Sequence, residues 1–106
     1  MNRAILAWAL MLGACGGDEA NDDRIAAILE LDGDVAAGAT GYASNCASCH
    51  GADGEGGTGP AMADAVTLSD EDIVDVVLNG VGGMPGFDSL EDQEIADILA
   101  FVTDTF

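Results

Sequence analysis

Residues 46–50 read Cys-Ala-Ser-Cys-His, and this His is the only one among 106 residues. Two thiols one helical turn apart can each add to one of the two vinyl groups of a porphyrin. An imidazole on the next residue then lies under the iron. The five-residue pattern is that of c-type haem attachment. It makes Cys46 and Cys49 the expected thioether donors and His50 the expected iron ligand of one covalent haem c. Other uses of these groups fit less well. A structural zinc site takes four Cys or His ligands, and only these three lie together. A thioredoxin-like redox pair goes with a βαβ pattern, and none is visible. A plain disulfide stays open as an alternative in an exported chain.

A second axial ligand is sought among the methionines. Met1 and Met11 fall in the N-terminal targeting segment, which leaves Met62 and Met84. Met84 sits in Asn79-Gly80-Val81-Gly82-Gly83-Met84-Pro85, a glycine-rich stretch between two helical patterns. Such a stretch can bring a side chain over a flat cofactor, and Pro85 restricts the backbone there. Met84 is therefore the expected sixth ligand, in a His/Met pair that raises the reduction potential. Met62 reads as a core residue packed on the haem edge, where Met adapts well. A loop Met filling a gap is the bland alternative for Met84.

The N-terminus has the form of an export signal: Arg3, an apolar run from Ala4 to Leu12, then Gly13-Ala14-Cys15. The run is far short of the ~20 residues that span a bilayer. Leu12-Gly13-Ala14-Cys15 resembles a bacterial lipobox, which implies cleavage before Cys15 and a lipid anchor on it. The expected division is a signal peptide over 1–14, an acidic linker and lead-in over 15–33, and a domain over 34–106. The expected location is the periplasmic side of a bacterial membrane.

Several elements must position the site. Asp34 is a candidate N-cap, and Val35, Gly38, Ala39 and Tyr42 follow at helical spacing to about Asn45. Ser69 and Asp72 resemble a capping box. Ile73, Val76 and Val77 form the stripe expected to be buried, and Gly80 is a natural stop. Ser89 with Asp92 repeats the cap. Ile95, Ile98, Leu99 and Val102 give the apolar face of the last helix. Arg24–Leu31 fits one or two helical turns lying on the domain. Gly16 to Asp23 shows no periodicity and reads as a solvated spacer. The class is all-α, with three main helices and a long Gly-rich loop over 51–68.

The charge balance is 2 Lys+Arg against 20 Asp+Glu, with a formal net charge of −18 and no Lys. Phosphate contacts need clustered cations, so nucleic acid is excluded as a partner. Aromatics are 5% of the chain, so core volume must come from elsewhere, and a haem would supply it.

With Gly38 and Tyr42, Cys46-Ala47-Ser48-Cys49-His50-Gly51, Gly59-Pro60, Met84-Pro85, and Ile98 with Phe101 in order, the chain resembles the class I c-type cytochromes. The likeness is to small bacterial monohaem forms and covers about residues 34–106. It implies the cytochrome c fold, with Gly38 where the first and last helices cross. It further implies that Pro60 offers its carbonyl to the ligand His50, an outer bond that orients the ring. Met62 departs from the usual Leu after the Gly-Pro. Arg24–Asp34 resembles the lead-in of lipoprotein cytochromes.

The implied function is one-electron transfer in a respiratory or photosynthetic chain, between a redox-protein donor and acceptor. An enzymatic role is not expected. The alternatives are a haem subunit of a larger dehydrogenase or oxidase, and a peroxidase-like or gas-binding protein. The acidity fits three readings: a solvated surface, a docking field for a basic partner, or adaptation to high salt.

Overall fold

Asp34 accepts a hydrogen bond from the Ala36 N–H at 3.1 Å, and a helix begins behind it. The structure, a computed structural model, describes residues 19–106. The signal segment 1–14 and Cys15 lie outside the described residues. Six helices follow one another: α1 (Glu19–Leu29), α2 (Val35–Asn45), α3 (Ala47–His50), α4 (Met62–Ala65), α5 (Asp70–Asn79) and α6 (Asp92–Thr105). Among the described residues the only extended pairing is an isolated bridge between Val81 and Met84. The three helices that the sequence patterns imply are α2, α5 and α6, and α1, with eleven residues, joins them as a fourth of comparable length.

The helix ends follow local chemistry. Ser69 accepts from the Asp72 N–H at 3.1 Å and opens α5. Gly80 closes it at φ 75°, a conformation that costs little without a Cβ. The start of α6 differs from expectation. Its N-cap is Glu91, not Ser89, and the Glu91 N–H donates to Glu94 Oε1 at 2.9 Å. Ser89 is left in the turn before it.

The core has two parts. Tyr42, Met62, Ile98 and Val102 are buried where α2, α4 and α6 meet. The crossing of α2 on α6 is close because position 38 has no side chain. A Cβ there would collide with the carbonyl of Asp97. The Asp97 carboxylate accepts from the Asp34 N–H at 2.8 Å and from Gln93 Nε2 at 2.9 Å. It thereby ties the start of α2 to the middle of α6.

The second part joins α1 to α5 and α6. Ile25, Ile28, Val74, Leu78, Ile95 and Ala96 are buried together. Two expectations change here. Glu19 to Asp23, read as spacer, belong to an eleven-residue helix. The buried residues of α5 are Val74 and Leu78, while Ile73, Val76 and Val77, the expected stripe, are half-buried, with Val77 packed against the same cluster. The apolar positions of α5 cover two faces: one meets α1, and the other meets a cavity.

Arg24 fastens α1. Its Nε donates to Asp92 Oδ1 at 2.9 Å, with Nη2 also 2.8 Å from that oxygen. Its Nη1 and Nη2 donate to the carbonyls of Asp88 and Leu90, each at 2.8 Å. One planar fork thus gathers the chain that leads into α6.

Candidate haem site

Cys46 ends α2, and the chain turns once more as α3 before stopping at Gly51. This single turn presents Cys46, Cys49 and His50 to one cleft of about 420 Å³. The facing wall carries Val81, Met84, Pro85 and Phe87, and Gly59-Pro60 closes a third side. The site residues expected from the sequence, Cys46, Cys49, His50, Pro60 and Met84, therefore line one space. Cys15 lies outside the described residues.

The His50 ring is fixed by a hydrogen bond. Its Nδ1 lies 2.8 Å from the Pro60 carbonyl oxygen. A carbonyl can only accept, so the proton sits on Nδ1 and the Nε2 lone pair is left for a metal. A Cβ on Gly59 would come within 2.9 Å of the ring, so the loop also holds it by contact. The loop is itself pinned to α3. The N–H of Gly56 donates to the His50 carbonyl at 2.7 Å, and that of Gly59 to the Cys49 carbonyl at 2.8 Å.

Met84 is held in a tight turn. Val81 and Met84 exchange backbone hydrogen bonds of 3.1 and 2.8 Å. Beyond it, the Phe87 N–H donates to the Val77 carbonyl at 2.7 Å and returns the chain to α5. A smaller cavity of about 80 Å³ lies behind the cleft. His50 and Met84 border both spaces, whereas Met62 lines only the smaller one. Met62 is buried beside Tyr42, Ile98 and Val102.

The site is supported from behind. Tyr42 donates through its hydroxyl to the Gly51 carbonyl at 2.7 Å, just beyond His50. Its ring packs against Phe101 at 5.5 Å and Phe106 at 5.6 Å between centroids. With Phe87 on the cleft wall, every aromatic among the described residues serves this side of the molecule. Burial, then the charges of Cys46, Glu55 and Asp53, pushes the Tyr42 phenol above its ordinary value. Burial, then Cys49, pushes the Cys46 thiol up to about 11. Both cysteines are free thiols and not joined to each other.

None of the residues lining the cleft is acidic. The runs that build it, 35–52, 56–63 and 76–87, contain no Asp, Glu, Lys or Arg in a chain with 20 acids. The result is an uncharged collar on an acidic molecule. A flat, apolar group with one metal fits this space: thiols and one free imidazole nitrogen on the first wall, a thioether on the other.

Residues 33–102 match the family model described as cytochrome c oxidase, cbb3-type, subunit III. A cytochrome c6 of Limnospira maxima is 36% identical over 88 residues, 68% of this chain and 93% of that protein. Cytochrome c-551 of Bacillus subtilis (strain 168) is 28% identical over 99 residues, 92% of this chain and 88% of that protein. The cytochrome c subunit of a menaquinol:cytochrome c reductase from Geobacillus thermodenitrificans is 31% identical over 81 residues, 32% of its length. With a cleft of this shape and these relatives, the chain belongs to the class I monohaem c-type cytochromes, small electron carriers that hold one covalently bound haem c and serve redox partners.

Proposed function

We propose that Cys46 and Cys49 would hold a haem c through two thioether bonds, that His50 Nε2 and Met84 Sδ would ligate its iron, and that Pro60 positions His50. The observation that supports this is the bond between His50 Nδ1 and the Pro60 carbonyl, in a cleft that His50 and Met84 both line. The bond fixes the tautomer and raises the basicity of the ligand nitrogen. Met62 borders only the rear cavity, which favours Met84 as ligand and leaves Met62 to pack behind it. The bound haem supplies a one-electron couple, and His/Met ligation raises its potential. The chain's own part is to hold two ligands in place and keep water out. Val81, Pro85 and Phe87 line the wall beside Met84.

The chain is of an exported kind, and among the described residues no helix is long and apolar enough to cross a membrane. The reading carried forward is a lipoprotein, cleaved before Cys15 and anchored there on the periplasmic side. The neighbouring redox proteins are proposed to be basic around their docking faces, to match the acidic surface. The menaquinol:cytochrome c reductase relative makes a quinol-oxidising complex the first donor to try.

The test of ligation is Met84→Ala in the exported holoprotein. Loss of the Met–iron(III) charge-transfer band and a lower potential are expected, while Met62→Leu keeps both. A band that survives Met84→Ala and vanishes in Met62→Leu would reverse the assignment.

A further inference from the structure

The polar contacts of α1 fall on the two ends of the segment that carries Met84. Asn21 donates a side-chain hydrogen bond to Asn79, the last residue of α5. Gly80 to Phe87 follow, with Met84 among them. Arg24 binds the chain just beyond. Its guanidinium donates to the carbonyls of Asp88 and Leu90 at 2.8 Å and to the Asp92 carboxylate at 2.9 Å. Asn21 and Arg24 are three residues apart on a helix, so they stand on one face of it. A single face of α1 thus grips both stems of the Met84 segment.

The stems touch the ligand turn directly. A Cβ on Gly80 would collide with the Met84 carbonyl oxygen, and one on Gly86 would come within 2.6 Å of the Leu78 carbonyl oxygen. The turn is therefore packed on the last residues of α5. Leu78 is itself buried with Ile25 and Ile28 of α1. Asn79 has both halves of its amide engaged, since its Nδ2 donates to Asp75 at 2.5 Å. Between the stems, few backbone bonds hold the turn: the Val81–Met84 pair, and that from Phe87 to Val77. Its tip, Val81 to Gly83, is exposed. A segment with so few bonds opens locally at little cost unless its ends are fixed.

We propose that α1 is a clasp for the Met84 segment, with Asn21 and Arg24 as positioning residues that keep the thioether seated. Asn21 holds the entry and Arg24 the exit. This rests on Met84 as the axial ligand, and it adds the groups that control how often that ligand leaves. Releasing either grip lets the segment swing while α5 and α6 stay folded.

Imidazole competition in the ferric holoprotein tests the clasp. Imidazole reaches the iron only while Met84 is away, so its apparent affinity scales with the open fraction. Displacement is followed by loss of the Met–iron(III) charge-transfer band. Asn21→Ala removes no member of either buried cluster. It should tighten imidazole binding about fivefold, the effect of one hydrogen bond. Arg24→Gln should tighten it at least as much, because its bonds are charge-assisted. Before imidazole is added, both variants should show the native band. Amide exchange at Met84 should quicken in Asn21→Ala by a similar factor. Gln93→Ala is the control. Gln93 donates to the Asp32 carbonyl at 3.0 Å and to Asp97 at 2.9 Å, bonds of the same kind beyond the far end of α1. Its loss should leave imidazole affinity unchanged. Unchanged affinity or unchanged Met84 exchange in Asn21→Ala overturns the clasp, as does an equal shift in Gln93→Ala. A band that persists in Met84→Ala refutes the ligation instead, and the clasp falls with it.

Discussion

Gly38 shows how one missing side chain sets the spacing of two helices. The Asp97 carbonyl occupies the place of its Cβ, and neither backbone can yield cheaply. Gly38→Ala is expected to cost at least ~2 kcal/mol by overpacking, read as a drop in the denaturation midpoint at unchanged slope. Tyr42 is the opposite case, a large side chain with its polar tip satisfied. Tyr42→Phe leaves the rings packed and removes the bond to the Gly51 carbonyl, at about 1 kcal/mol. The phenol's folded pKa is raised above 10.0. Its contribution is therefore intact below pH 10 and lost as pH climbs through the raised value. Stability measured across alkaline pH should fall less steeply in Tyr42→Phe than in the native chain. At this scale much was legible. Cys46, Cys49 and His50 declare themselves by spacing, because attachment is local in sequence. Pro60 does not, since a carbonyl belongs to every residue, and only the resemblance pointed to it.

The helices teach where periodicity runs out. Asp34 and Ser69 cap as their types predict. Glu91 displaces Ser89 because its neighbour at the third helical position, Glu94, closes the reciprocal bond. In α5 the apolar residues 73, 74, 76, 77 and 78 are too many for one stripe. Period alone cannot say which of them meets another helix and which meets a cofactor. The start of α1 was hidden by its acids: composition reads them as solvated, and packing by Ile25 and Ile28 orders them anyway. Because Arg24 holds α1 to the entry of α6, Arg24→Gln should loosen that helix by about 2 kcal/mol, a charge-assisted bond and its companions. Faster amide exchange at Ile25 and Ile28, with little change at Ile98, is the expected signature.

For the molecule as a whole, the acidic surface and the neutral collar divide the work of recognition. Charges away from the cleft act at range and weaken with salt, whereas contact at the collar does not. Electron transfer with a basic-rimmed partner should slow as ionic strength rises, and a flat response would remove steering from the account. The aromatics among the described residues are gathered at the haem side, which is where folding needs them. The apoprotein should consequently be largely unfolded by near-ultraviolet dichroism, and a cooperative apo transition would contradict it.

Arg24 has one more consequence. The sequence contains no Lys and only two Arg, Arg3 and Arg24. A protease that cuts after basic residues thus finds one target in the described chain, inside a helix and held by three groups. Cleavage there requires that α1 first lift away and unwind. The rate of that single cut, followed with and without a redox partner, is a built-in gauge of how often α1 opens.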